Sequence, residues 1–128
     1  MITHMSNVSL VVDRMKYGLS EACHLFFSTL GNPTRLGILE LLMESPRNVT
    51  QLAEHLNQEQ SMISHNLKPL TKCRFVFVKR KGKKRIYSLN RETLEPIYKI
   101  IDNHMKRYCS GGRCLERLRR GEKSDVEK

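Results

Sequence analysis

Gln60-Ser61-Met62-Ile63-Ser64-His65-Asn66-Leu67-Lys68-Pro69-Leu70 carries two faces in one short run. Ile63, Leu67 and Leu70 recur at steps of four and three, the spacing of one side of a helix. Ser61, Ser64, His65 and Lys68 recur at i, i+3, i+4 and i+7 on another side. The spacing predicts a helix from about Ser61 to Lys72. Its apolar side packs inward, and its outer side is short, polar and rich in hydrogen-bonding groups. An ordinary surface helix also has a polar outer side, so the neighbouring segments decide what this one means.

Upstream, Asn48-Val49-Thr50-Gln51 fits a capping box, and Val49, Leu52, Ala53 and Leu56 form the stripe of a short helix. Asn57-Gln58-Glu59-Gln60 then reads as a polar turn. Further back, Asn32-Pro33 reads as a helix start. Leu36, Leu39, Leu42 and Met43 give that helix its apolar spacing, and Pro46 stops it. Residues 7–30 are helical in pattern, with a break at Gly18 that leaves Leu19–Leu30 as the better helix.

Downstream, Phe75–Arg80 and Lys84–Leu89 read as strands joined by the tip Lys81-Gly82-Lys83. A last helix is predicted with Thr93 as its cap and Pro96 in its first turn. Its stripe is Leu94, Ile97, Ile101, Met105 and Tyr108, at steps of 3, 4, 4 and 3, and Gly111-Gly112 ends it. The expected fold is mainly α with one small β-hairpin. Two short helices across a tight turn, followed by the hairpin, make a winged helix-turn-helix. The expected organisation is an N-terminal extension over 1–18, the folded domain over 19–108, and a basic, cysteine-containing tail over 109–128.

The formal net charge is +10 and the sequence pI is about 9.8, which calls for a polyanionic partner. Lys79, Arg80, Lys81, Lys83, Lys84 and Arg85 put six cations in seven positions of the hairpin, too many to pair locally. Such a hairpin suits the backbone of double-stranded DNA. The polar helix face suits its major groove: Ser and Asn reach base edges, Lys meets phosphate, and Gln60, Ser61 and Met62 lead the helix into the groove. The function read from these features is sequence-specific DNA binding. A nonspecific architectural DNA binder shares the charge and the wing, and is the alternative. No apolar run approaches the ~18 residues of a spanning helix, and Ser9–Val12 is too short for a secretory leader. The expectation is a cytoplasmic protein without a membrane partner. No Cys-x-x-Cys at a helix start, glycine-rich phosphate loop or metal-hydrolase motif points to an enzyme.

Taken together, the motifs resemble the ArsR/SmtB family of winged-helix repressors. The residues that carry the resemblance are Leu30-Gly31-Asn32-Pro33-Thr34-Arg35-Leu36-Gly37-Ile38-Leu39, Val49 to Leu56, Gln60 to Leu70, and Gly82 to Leu89. The family's pattern over the third stretch is Q-S-x-V-S-x-H-L-K-x-L. The resemblance implies a homodimer held by the first and last helices. The stripe Leu94, Ile97, Ile101, Met105, Tyr108 independently reads as a dimer seam. A two-fold dimer reads a pseudo-palindrome. The resemblance further implies a transcriptional repressor.

This chain departs from the family at several positions. Many members carry Cys-Val-Cys where it has Asn48-Val49-Thr50, which leaves no metal ligands there. At the family's metal positions on the last helix stand Arg91, Thr93, His104 and Arg107, of which only His104 is a ligand type. Arg74 replaces a frequent Gly, and His65 a frequent Arg.

Four cysteines are too few for a disulfide scaffold. Cys109 and Cys114 flank two glycines, with Arg107 and Arg113 placed to favour thiolate. Two sensory readings stay open beside a third in which these thiols sense nothing. One is a soft-ion site for As(III), Cd(II) or Zn(II) that draws on Cys109 and Cys114 with Cys23, His24 or His104. The other is a reversible Cys109–Cys114 disulfide. Cys73 reads as packing.

Overall fold

The computed structural model describes residues 19–109, 116–117 and 119–121. The extension over 1–18, Gly111-Gly112 and Cys114 lie outside the described residues. The chain divides into two compact units at Asn90.

The first unit contains α1 (Leu19–Leu30), α2 (Pro33–Glu44), α3 (Val49–Leu56), α4 (Gln60–Lys72), β1 (Val76–Lys81) and β2 (Lys84–Leu89). Its core is mainly aliphatic, with Phe75 and Tyr87 also buried. Ile38, Leu39 and Leu42 of α2, Leu52 of α3 and Ile63, Leu67 and Leu70 of α4 are buried, with Val76 at the base of the hairpin. Ile38 rather than the anticipated Leu36 completes the inner face of α2, and Leu36 is exposed. Gly37 lets α2 and α3 approach closely, because a Cβ there would stand 2.9 Å from Leu56 Cδ2.

The helix starts follow from their caps. Asn32 Oδ1 accepts from the Thr34 and Arg35 amides at 2.9 and 3.1 Å, with Pro33 in the first helical position. α2 ends at Glu44 and Ser45 is extended (φ −168°), as the residue before a proline prefers. At α3 the Gln51 amide donates to Asn48 Oδ1 and the Asn48 amide to Gln51 Oε1, both at 2.9 Å. Removing this box with Asn48→Ala is expected to lower the unfolding free energy by about 1 kcal/mol. Urea denaturation checks this, and an unchanged midpoint would show that the box adds nothing.

α4 begins one residue earlier than anticipated, at Gln60, so the turn is only Asn57–Glu59. Its exit is a Schellman turn: the Phe75 amide donates to Leu70 O at 2.9 Å and the Arg74 amide to Thr71 O at 3.1 Å. Phe75 and Leu70, the apolar pair that accompanies such turns, are both buried. Arg74 takes the left-handed position, with φ +63°.

β1 runs one residue later than expected and pairs antiparallel with β2, from Val76↔Leu89 to Lys81↔Lys84. Gly82 turns the tip with φ +65°. A further backbone partner for β2 was not anticipated. Arg47 bridges Tyr87 through paired backbone bonds of 3.0 and 2.9 Å, so β2 is central.

The second unit is built on α5 (Arg91–Tyr108). It starts two residues before Thr93, which is therefore inside the helix and not its cap. Pro96 consequently lies sixth in the helix, beyond the first turn, and removes the bond that the Glu92 carbonyl would accept. Arg91–Glu95 and Asp102–Lys106 ion pairs, both 2.9 Å, support the helix at i, i+4. Of the anticipated seam, Leu94 is buried, Ile97 and Met105 are half-buried, and Ile101 and Tyr108 are exposed. Ile100, which that stripe omitted, is 67% exposed.

Candidate nucleic-acid interface

α4 turns Ile63, Asn66, Leu67 and Leu70 into the core. That leaves Gln60, Ser61, Met62, Ser64, His65 and Lys68 exposed along its outer side. The outer face is therefore continuous from the first turn of the helix to Lys68.

Asn66 is the exception to the reading that its asparagine reaches bases. It is 5% exposed and serves to dock the helix. Its Nδ2 donates to Met62 O at 2.9 Å, and its Oδ1 accepts from Arg35 Nε at 3.1 Å. Arg35 also donates from Nη1 to Thr29 O at 3.3 Å. One guanidinium on α2 thus ties the last turn of α1 to the middle of α4. Thr34 Oγ1 donates to Gln58 Oε1 at 3.2 Å and holds the turn that enters α4. Sequence periodicity missed the role of Arg35, because a cation on a helix reads as solvated until its partner is known.

The wing presents Lys79, Arg80, Lys81, Lys83, Lys84 and Arg85, all exposed. Among the described residues none of them has an acidic partner within ion-pair distance. The strand register also sets Arg80 opposite Arg85 and Lys81 opposite Lys84. Like charges directly opposite one another destabilise a sheet, so the isolated hairpin tip carries unrelieved repulsion that a polyanion would neutralise. Between α4 and the wing lies an open cleft of about 780 Å³. Leu67, Val76 and Tyr87 line it with Ser64, Lys68 and Arg85, and Lys72 and Arg74 add two cations outside the expected DNA-binding set.

The described thiol and imidazole residues lie on different elements. Cys23 (half-buried) and His24 (exposed) lie on α1, His104 is exposed on α5, and Cys109 follows α5. Among the described residues, no three His, Cys, Asp or Glu side chains gather as a metal site. Cys73 Sγ lies 3.8 Å from Thr29 Oγ1, whose hydroxyl donates to Leu25 O at 2.7 Å. The thiol is therefore part of the packing between α1 and the end of α4.

An outward polar helix held by a three-residue turn, beside a cationic hairpin, defines a winged helix-turn-helix DNA-binding domain. Known proteins agree. A model of the family described as bacterial regulatory protein, arsR family, matches residues 32–77. The arsenical resistance operon repressor of Staphylococcus xylosus is 36% identical over 73 residues, which cover 57% of this chain and 70% of that protein. The crystal structure of Rv0081 from M. tuberculosis superposes with a TM-score of 0.67 at 31% identity, over 72% of this chain and 93% of that one. The fold is also that of a homodimeric winged helix-turn-helix DNA-binding domain from Mycobacterium bovis (TM-score 0.63, 24% identity, 75% of this chain and 88% of that one). The chain belongs to the arsR family of DNA-binding regulators, which are not enzymes. No described helix is long and apolar enough to cross a membrane.

Proposed function

We propose that this chain is a homodimeric transcriptional repressor that reads a pseudo-palindromic operator. The observation that carries the reading is the pairing of two surfaces in one compact unit. The outer face of α4 has side chains that discriminate base edges, and the wing has six unpaired cations that hold a backbone. Dimerisation is supported by the apolar side chains that α1 and α5 leave in solvent: Leu25 and Phe27 on the first, Ile100, Ile101 and Tyr108 on the second. Two copies related by a two-fold axis place two α4 helices on half-sites about one DNA turn apart.

The signal in this proposal is thiol-reactive and acts at Cys109 and Cys114. A soft ion such as As(III), Cd(II) or Zn(II) and a reversible disulfide are its two forms. The close spacing of the thiols in sequence and the likeness to an arsenical resistance repressor support it. Cytoplasmic residence goes with this reading.

Fluorescence anisotropy of the reduced protein tests it, with the DNA upstream of its own gene against a scrambled duplex at fixed salt. Binding at least ~10³-fold tighter to the upstream DNA is expected of a repressor. Equal affinity for both duplexes would make the protein an architectural binder. Release by As(III) or by oxidant would identify the signal. The double variant Ser64→Ala, His65→Ala is expected to cut the preference for the site about tenfold or more, since each good base contact is worth ~1–3 kcal/mol. An undiminished preference would place base reading elsewhere.

A further inference from the structure

Arg74 occupies a backbone position that disfavours it. It is the left-handed residue of the Schellman turn that ends α4, with φ +63°, where glycine is the usual occupant because a Cβ is strained there. The turn does not need an arginine. Its hydrogen bonds are all from the backbone or to it: Arg74 N to Thr71 O, Phe75 N to Leu70 O, and Asn90 Nδ2 to Arg74 O at 2.7 Å. Nor is the side chain retained for a salt bridge, since among the described residues it has no acidic partner. Arg74 is exposed and lines the cleft between α4 and the wing, together with Lys68, Lys72 and Arg85. Strain kept at a surface position marks a functional constraint, and four cations around one open cleft make a seat for an oxyanion.

We infer that Lys72 and Arg74, with Lys68 and Arg85, form a phosphodiester seat that clamps one DNA strand between the recognition helix and the wing. The inference rests on the DNA-binding reading above and extends it past the two surfaces already described. The end of α4 holds backbone, and Arg74 exchanges local stability for that contact.

The two properties therefore move in opposite directions on substitution. Arg74→Gly removes both the strain and the charge. Its melting temperature is expected to rise by roughly 4 °C at fixed protein concentration. Its DNA affinity is expected to fall about fivefold per bound protomer at ~0.15 M salt, and the slope of log K against log salt is expected to drop by ~0.9 per protomer, or ~1.8 for the dimer. Arg74→Ala removes the charge alone and is expected to lose the same slope without gaining stability. Arg74→Lys is expected to keep the slope.

The loss should be equal on the upstream DNA and on a scrambled duplex, because a phosphate contact carries no sequence information. If the wild-type chain binds DNA and Arg74→Gly binds with the same affinity and slope, the seat is overturned while the DNA-binding reading stands. A loss confined to the upstream DNA would also overturn it, in favour of a base contact. A wild-type chain that binds neither duplex would overturn both.

Discussion

Replacing Lys81, Lys83 and Lys84 together by glutamine is expected to weaken DNA binding on the order of a hundredfold per bound protomer at about 0.15 M salt. The fold should become no less stable. The affinity argument is counterion release. Each phosphate neutralised contributes about 0.9 to the slope of log K against log salt, so three lost contacts lower it by ~2.7 per protomer, or ~5.4 for the dimer. The stability argument runs the other way. Lys81 and Lys84 face each other across the tip of the hairpin, and like charges in that register repel. Their removal relieves the tip. Gly82, which the turn requires, is untouched. Salt-dependent anisotropy and a thermal melt on the same preparation check both halves. An unchanged slope would mean that the tip does not touch phosphate. A lower melting temperature would mean that the affinity was lost through unfolding.

The parts of this candidate interface that were legible in the sequence are those set by local rules. A period of 3.6 residues puts the same side chains of α4 outward in every such helix, and a run of cations at a hairpin tip faces solvent from both sides of the ribbon. The six cations of the wing and the six outer residues of α4 could therefore be named without coordinates. The caps at Asn32 and Asn48 were legible for the same reason, since donor and acceptor lie within three residues. What escaped depends on partners far along the chain. Arg47 makes a single rung against Tyr87, forty residues later, and leaves no strand pattern of its own. Asn66 looked like one more polar residue of α4, yet its partner is Arg35 on another helix. Ile38 displaced Leu36 from the core because the direction of α2's inner face is set by α3 and α4, not by its own leucines. Thr93 was a sound cap by residue type, but α5 begins directly after Asn90, whose amide and side chain are already bonded to Phe75 and Arg74.

The link between Arg35 and Asn66 leads to the second large effect. Arg35→Met is expected to cost about 2–4 kcal/mol of stability, because two acceptors in buried surroundings lose a charged donor at once. They are Asn66 Oδ1 and Thr29 O, in residues that are only 5% and 4% exposed. Arg35→Lys recovers little of this. A guanidinium donates from Nε and Nη1 along two fixed directions, whereas an ammonium is a single point on a flexible stem. Asn66→Leu alone should be costly in the same way, since it strands the Arg35 Nε donor. The double variant Arg35→Met, Asn66→Leu replaces both polar partners by apolar ones. It should therefore cost clearly less than the sum of the single variants, and the cycle measures the coupling directly. Strictly additive losses in urea denaturation would show that the 3.1 Å contact contributes nothing of its own. DNA binding supplies the functional arm. Asn66 lies between Ser64–His65 and Lys68 on α4, so its release lets the recognition helix shift in register and direction. In conditions where each variant is still folded, Arg35→Met should lose preference for the upstream DNA while keeping its affinity for scrambled duplex, because the wing is left intact.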